Sequence, residues 1–115
     1  MTISSDCLFC RIVRREIPAN IVHEDEETMA FRDIDPKAPT HILVIPKTHV
    51  ASLNEATDAA VIGRLLLAAR DIAEAEGIES SGYRTVINTG ADSGQTVHHI
   101  HVHVLGGRHL KWPPG

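Results

Sequence analysis

The stretch from His98 to Leu105 constrains the chain more than any other, because histidine and aliphatic residues alternate along it. A period of two is typical of a β-strand, in which side chains at i, i+2 and i+4 share one face. We therefore predict a strand with His99, His101 and His103 in a row, about 6.5–7 Å apart, and its aliphatic residues in a core. Histidine is a poor core residue and is costly to bury unpaired, whereas imidazole ligates metals and can act as a nucleophile. The row therefore predicts a chemical site rather than a polar strand surface.

Composition limits the class of protein. The chain has 115 residues, which fits one domain over residues 1–115, and an aromatic content of 3% predicts an aliphatic core. A net charge of −4 argues against a general nucleic-acid or membrane-surface binder. We find no signal segment and no apolar run near the ~18 residues of a membrane helix, so a cytoplasmic location is expected. Two cysteines in a reducing compartment favour a metal or redox pair over a structural disulfide.

Local patterns predict two helices and five strands. A short helix over residues 7–15 would be capped by Ser5 or Asp6, and the longest helix would begin after Asn54 or Thr57 and end before Gly77. Strands are predicted at residues 21–24, 28–34, 41–45 and 83–88, with the histidine strand as the fifth. Hairpin-spaced strands interrupted by one long helix indicate an α+β fold with an antiparallel sheet.

The chemistry of the predicted site is left open by these patterns. The histidine row could hold a catalytic metal, or one histidine could be a nucleophile that its neighbours orient. Cys7 and Cys10 could be half of a zinc site that needs two more ligands, whereas the redox alternative lacks the preceding strand of a thioredoxin-like fold.

The segments that flank the histidine row could contact a phosphate group. Glycines in the turn before the row, Gly94 among them, let backbone N–H groups approach an anion closely. Asn88, Gln95 and Thr96 can add side-chain hydrogen bonds. These four residues are therefore predicted to bind nucleotide if the histidines act on phosphorus.

The residues from Gln95 to Leu105 resemble the signature of the histidine triad (HIT) superfamily, a His-x-His-x-His followed by apolar residues. Other segments resemble the Hint branch, the purine nucleoside phosphoramidases; they are Ile17-Pro18-Ala19, Phe31–Ile34, Ala38–Lys47, Asn88-Thr89-Gly90, Gly106-Gly107-Arg108 and Trp112–Gly115. The resemblance implies a five-stranded antiparallel sheet with one long and one short helix. It also implies a homodimer in which the sheets of two subunits join.

The resemblance implies roles for individual residues. His101 would attack the α-phosphorus of a nucleotide and carry a nucleotidyl-histidine intermediate, with His103, His41 and His99 as the other active-site histidines. Asp33 matches the aspartate that holds the ribose hydroxyls. Apolar positions that wall the purine pocket in this family correspond here to Phe9, Ile12, Ile17 and Ile34.

The resemblance also bears on the two cysteines. Related bacterial proteins carry such a pair together with two histidines, which correspond here to His49 and His99. Cys7, Cys10, His49 and His99 would form a closed Cys₂His₂ site, so the zinc would be structural. Metal ligation would conflict with an acid–base role for His99, because a metal-bound imidazole is not free to move protons.

The predicted function is hydrolysis of purine nucleoside 5′-phosphoramidates or related adenylates by a cytoplasmic homodimer. The expected ligand is an AMP-type purine nucleotide, and no metal is expected in the catalytic step. Two alternatives remain: a nucleotide-binding adapter with incidental hydrolysis, and a metal-dependent hydrolase that uses the histidine row as ligands.

Overall fold

The computed structural model describes residues 6–115. Its elements are α1 (Leu8–Val13), β1 (Ile21–Glu24), β2 (Thr28–Arg32), β3 (Thr40–Pro46), α2 (Ala59–Ala75), β4 (Tyr83–Val86) and β5 (Val102–Gly106), with short 3₁₀ turns at Leu53–Glu55 and Ala91–Ser93. The strands form one antiparallel sheet in the order β1-β2-β3-β5-β4. This confirms the predicted α+β fold with five antiparallel strands, one long helix and one short helix.

The two faces of the sheet carry separate cores. Alternate residues of each strand face α2, and they pack with Leu65, Ala69 and Ile72 of that helix. The opposite face packs against α1 through a second cluster, which consists of Cys7, Phe9, Cys10, Ile12, Met29, Phe31, Leu43 and Ile45. We call this second side the α1 face. His41 and His103 lie on it, because Leu43 pairs directly with His103 across β3 and β5.

The histidine strand is shorter than the alternation predicts. β5 begins at Val102, so His99 and His101 precede the strand, although the rings of His101 and His103 remain neighbours with centroids 4.9 Å apart. The reason is that the Ile100 N–H donates to the carbonyl of Val50 at 2.6 Å instead of entering the ladder with β3. His99 is fully buried, and its ring contacts those of Phe9 and His49.

The helices begin at residues other than the predicted caps. The Cys7 thiol accepts the Cys10 N–H at 3.3 Å and caps α1, so Asp6 is not the cap, and Ser5 lies outside the described residues. Asp58 caps α2 by accepting the Ala60 N–H at 2.9 Å. Of the predicted caps for α2, Asn54 lies inside the preceding 3₁₀ turn and Thr57 precedes Asp58. Aspartate competes well for a cap because its carboxylate accepts from the first free N–H groups.

Two predicted strands end early. β2 ends at Arg32, because Asp33 turns the chain: its carboxylate accepts the Asp35 N–H at 2.8 Å. β4 ends at Val86, two residues before Asn88. In the part of the chain that the structure describes, no helix is long and apolar enough to cross a membrane.

Candidate functional site

The histidines of the alternating stretch enter three different environments. His99 faces the two cysteines, His101 lies at the wall of an apolar cavity, and His103 is hydrogen-bonded to His41 on β3. The structure thus divides the predicted row into a metal-type cluster and a histidine pair, with His101 between them.

Cys7, Cys10, His49 and His99 are brought together as the resemblance implies. Their ligand atoms all lie within 4.8 Å of one another. The Nδ1 of His99 is 3.2 Å from the Cys7 Sγ, and the Nδ1 of His49 is 3.3 Å from the Cys10 Sγ. The two cysteines form no disulfide, and both are buried.

The His99 imidazole is oriented by the end of β3. Its Nε2–H donates to the Pro46 carbonyl at 2.8 Å, so Nδ1 keeps a lone pair that faces the sulfurs. Burial lowers the pKa of His99 to about 4, which keeps the ring neutral. A neutral imidazole with its second N–H donated to a carbonyl is what a metal ligand requires. Two thiols and two imidazoles fit a tetrahedral zinc ion.

One ring nitrogen of His101 is hydrogen-bonded to the backbone, and the other, Nε2, faces the cavity. The Nδ1–H donates to the carbonyl of His99 at 2.7 Å, which leaves a lone pair on Nε2. Burial lowers the pKa of His101 below its ordinary value, so the neutral form dominates at neutral pH. The ring of Phe9 packs edge-on against this imidazole, with centroids 5.1 Å apart. His101 is therefore a neutral, oriented imidazole with an available nitrogen.

A chain of hydrogen bonds sets the tautomers of the histidine pair. The backbone N–H of Lys37 donates to His41 Nδ1 at 3.0 Å, so the proton of a neutral His41 is on Nε2. That Nε2–H lies 2.9 Å from His103 Nδ1, which must accept it, so the proton of His103 is on Nε2. Among the described residues, no group accepts this buried N–H of His103. Asp33 is also close to the pair, with its carboxylate 3.4 Å from His41 Nε2.

Burial keeps both histidines of this pair neutral. It lowers the pKa of His103 to about 4, an effect that the neighbouring imidazoles of His101 and His41 reinforce. It also lowers the pKa of His41, although the Asp33 carboxylate opposes that shift. The two facing ring nitrogens of His41 and His103 are 2.9 Å apart, and with the Asp33 carboxylate they form a second group whose ligand atoms lie within 4.8 Å of one another.

An apolar cavity of about 280 Å³ opens beside His101 and His103. Of the residues predicted to bind nucleotide or act in catalysis, those that line it are Phe9, Ile12, Ile17, Asp33, Ile34, Thr96, His101 and His103. Ile34 is a rim residue, because 99% of it is exposed. Seven further wall residues were not predicted from the sequence: Leu8, Pro18, Ala19, Phe31, Arg32, Leu43 and Val97. A larger cavity of about 460 Å³ near the start of α2 contains none of the predicted site residues.

Three residues predicted to contact phosphate do not line this cavity: Asn88, Gly94 and Gln95. The Gln95 amide is engaged by backbone groups: it donates to the Val97 carbonyl and accepts the Gly90 N–H within its own loop, and it donates to the carbonyl of Ala51 in the segment after β3. Gln95 therefore shapes the loop that carries Thr96 and the histidines. Gly94 has a φ of +89°, which favours glycine for conformational reasons alone.

Comparison with known proteins decides the family. The family model of the HIT domain matches residues 14–110. The chain belongs to the HIT family. It is 59% identical to an uncharacterised HIT-like protein of Synechococcus elongatus, over 97% of this chain and 99% of that protein. It is 50% identical to the 14 kDa zinc-binding protein of Zea mays, over 96% of this chain and 89% of that protein.

A solved structure agrees with this assignment. The HIT family hydrolase of Legionella pneumophila superposes with a TM-score of 0.94 at 50% identity, over 96% of this chain and all of that one. The HIT family accounts for the order of the five strands and for the histidines at the edge of an apolar cavity. These relatives do not distinguish the Hint branch from the other HIT branches.

Proposed function

We propose that this HIT protein is a purine nucleoside phosphoramidase of the Hint type, which hydrolyses AMP-amide bonds through a nucleotidyl-histidine intermediate. One observation carries the proposal: His101 is a neutral imidazole whose Nδ1–H is held by the His99 carbonyl, so that its Nε2 lone pair is available beside the cavity. An imidazole in this state is a nucleophile that needs no deprotonation.

The chemistry divides into two displacements at phosphorus. In the first, His101 Nε2 forms a bond to the α-phosphorus while the bond to the leaving nitrogen breaks; the nitrogen keeps that electron pair, takes up one proton from solvent and departs as the amine. In the second, water attacks the phosphorus, the bond to Nε2 breaks, and one proton is released from the water. The net reaction consumes one water and gives a nucleoside monophosphate and an amine.

His103 and His41 would assist at the phosphoryl oxygens. The Nε2–H of His103 is buried and has no acceptor among the described residues, so a bound phosphoryl oxygen would satisfy it. His41 holds His103 in the donor tautomer through the 2.9 Å hydrogen bond. A donor already in place stabilises charge that develops in the transition state without reorganising.

The cavity suits a purine nucleoside. Its walls are mainly aliphatic and aromatic, as expected for a pocket that holds a planar base. Asp33 lies at the same cavity with one-fifth of its side chain exposed, which suits hydrogen bonds to the ribose hydroxyls. We propose adenine or guanine nucleotides as ligands on this basis.

We further propose one structural zinc ion per subunit on Cys7, Cys10, His49 and His99. When bound, zinc would supply a rigid tetrahedral link and no open coordination position for catalysis. The link would join α1, which carries Phe9, to the segment that carries His101. Among the described residues, a second group that could hold a metal consists of Asp33, His41 and His103, and neither group includes His101.

The family resemblance also leads us to propose a homodimer. Leu66 and Leu67 of α2 are 42% and 54% exposed, and β4 is an edge strand of the sheet. Both features lie on surfaces that a second subunit would cover. Light scattering at micromolar concentration should give twice the mass of the chain, and a monomer mass would contradict this.

The decisive variant for the proposed function is His101→Ala, with His98→Ala as its matched control, because His98 is exposed and outside the cavity. We expect His101→Ala to abolish turnover of an AMP-amide while AMP affinity, measured by calorimetry, stays within about tenfold. His98→Ala should retain turnover. Full activity of His101→Ala would refute the nucleophile assignment, and failure of the wild type to hydrolyse any AMP-amide would favour the adapter.

A further inference from the structure

The two cysteines lie at the start of α1, with both sulfurs close to the same imidazole nitrogen. The Sγ atoms of Cys7 and Cys10 are 3.2 and 3.5 Å from Nδ1 of His99, and they lie within 4.8 Å of one another. They form no disulfide in this structure. Sulfurs this close can be ligands of one zinc ion, and they can also be joined covalently. The pair therefore has two alternative chemical states, of which the proposed zinc site uses one.

A disulfide is compatible with the positions of the two cysteines along α1. Cys7 is the cap of the helix and Cys10 lies three residues later, in its first turn. Residues three apart on a helix have Cβ atoms about 5–6 Å apart, whereas a disulfide needs about 3.5–4.5 Å. Bond formation would therefore draw the two side chains together by about 1–2 Å. The first turn of α1 would have to tighten, and Phe9 lies within that turn.

One of the two cysteines borders a surface cleft. The cleft has a volume of about 450 Å³ and is lined by Asp6, Cys7, Leu8, His49, Thr96, Val97 and His98. Cys7 is 9% exposed, whereas Cys10 is fully buried and is not part of the lining. Among the described residues, none of β4 or α2 lines this cleft, so it lies away from the surfaces proposed for the dimer. We therefore expect a small neutral oxidant to reach Cys7 before Cys10.

Phe9 connects the cysteines to the nucleotide cavity. Its ring lines the cavity and contacts the ring of His101, with centroids 5.1 Å apart. Leu8, Thr96 and Val97 line both the cavity and the cleft, so the same side chains form a wall between the two. A change in the first turn of α1 would therefore move part of the cavity wall.

We propose that Cys7 is a site of oxidation by hydrogen peroxide, and that its conversion to a disulfide with Cys10 releases zinc and weakens nucleotide binding. This inference rests on the proposed zinc site and on the proposed nucleotide ligand, but it does not depend on the hydrolysis of AMP-amides. Thiolates rather than thiols react with peroxides, and a zinc ion would keep both cysteines in the thiolate form.

The oxidation consumes one hydrogen peroxide and two protons. The Cys7 thiolate forms a bond to one peroxide oxygen while the O–O bond breaks, and the hydroxide that leaves is protonated to water. The Cys10 thiolate then attacks the Cys7 sulfur: the S–S bond forms, the S–O bond breaks, and the second hydroxide also leaves as water after protonation. The two sulfurs lose two electrons, which reduce the peroxide. Because thiolates are the zinc ligands and a disulfide has none, only two imidazoles would remain, and the ion would dissociate.

The test uses the zinc-loaded wild type, treated with hydrogen peroxide that is then removed. A chromogenic chelator measures zinc release, thiols are counted after denaturation, and calorimetry gives the Kd for AMP. We expect zinc and both thiols to be lost together, a disulfide between Cys7 and Cys10 in the peptide mass spectrum, and a rise of about fivefold or more in the Kd. Dithiothreitol with added zinc should restore all three values. Since dithiothreitol does not repair oxidised methionine, recovery assigns the effect to the cysteines.

Two single variants test whether the cleft determines which sulfur is attacked. Cys10→Ser keeps the sulfur that borders the cleft, so peroxide should form a sulfenic acid on Cys7 that dimedone labels. Cys7→Ser is its matched control and keeps only the buried sulfur, so labelling should be at least about fivefold slower. Wild type that is reduced and stripped of zinc by a chelator provides a third comparison without any substitution. It retains both thiols, so it should bind AMP more tightly than the disulfide form.

Several results would overturn the inference. Zinc that stays bound after peroxide treatment, thiols lost without a disulfide, or an unchanged Kd for AMP would each refute the inference and leave the proposed function intact. Equal labelling of the two single variants would refute the role of the cleft. A wild type purified without chelator that contains no zinc would refute the proposed zinc site, and the release of zinc with it. A wild type that binds no AMP would refute the proposed nucleotide ligand, and the coupling with it.

Discussion

Phe9 lies on α1 between the cap residue Cys7 and Cys10, and its ring contacts both His99 of the zinc-type cluster and His101. The variant Phe9→Leu therefore tests how the cluster and the nucleophile are connected. Its ring is 4% exposed and meets three others edge-on: Phe31 at 5.3 Å, His101 at 5.1 Å and His99 at 5.9 Å. Leucine keeps an apolar side chain at this position but removes all three ring contacts.

The structure also supplies a matched control, Phe31→Leu. Phe31 is 4% exposed as well, and it shares with Phe9 the ring contact at 5.3 Å, but it has no ring contact with His101. Aromatic pairs are worth about 0.5–1.5 kcal/mol each beyond buried area. We therefore expect Phe9→Leu to lower the free energy of unfolding by about 2–4 kcal/mol and Phe31→Leu by about 1–2 kcal/mol.

The two variants should also differ in kinetics. Both residues line the cavity, so KM for an AMP-amide should rise in both. The value of kcat should fall about tenfold in Phe9→Leu, which corresponds to about 1.4 kcal/mol of lost positioning, and should change little in Phe31→Leu. Urea unfolding and steady-state kinetics measure these effects. Equal losses of kcat in the two variants would refute the idea that Phe9 positions His101.

Three further predictions follow from the described contacts. Replacing Cys7 and Cys10 together by serine should release zinc, measured by elemental analysis, and lower the melting temperature, with a smaller loss of activity than in His101→Ala. Gly106→Ala should destabilise the fold by about 1–3 kcal/mol in urea unfolding, because the new methyl group would lie 2.6 Å from Ile78 Cδ1. The free energy of unfolding should fall as the pH is lowered from 6.5 toward 4. Burial lowers the pKa of His103 to about 4 in the fold, so the unfolded chain binds more protons across this range; a pH-independent value would contradict that assignment.

The sequence was sufficient to predict the elements that periodicity encodes. The five strands and the two helices are where alternation and three- and four-residue spacing place them, because burial on one face is a local property of the pattern. The four cysteine and histidine residues of the zinc-type cluster also meet as the family resemblance implies. Element ends were predicted less well, since the caps at Cys7 and Asp58 depend on which of several polar side chains reaches a free N–H.

The tautomers and orientations of the site histidines could not be predicted from the sequence. The tautomers of His99, His101 and His41 are set by backbone groups of Pro46, His99 and Lys37. A backbone carbonyl or N–H leaves no signal in residue identity, because almost any residue type would supply it. Gln95 shows the converse: its side chain could bind a phosphate, but hydrogen bonds to the backbone of Gly90 and of the distant Ala51 already engage its amide.

The central claim is that the nucleotide is transferred to His101. Rapid mixing of the zinc-loaded wild type with an AMP-amide, followed by quenching under conditions that preserve phosphoramidates and by peptide mass spectrometry, tests it directly. The account predicts an adenylyl adduct on His101 that forms and decays within turnover and is absent from His101→Ala. An adduct on another residue, or full turnover with inversion of configuration at phosphorus, as expected for direct attack by water, would contradict it.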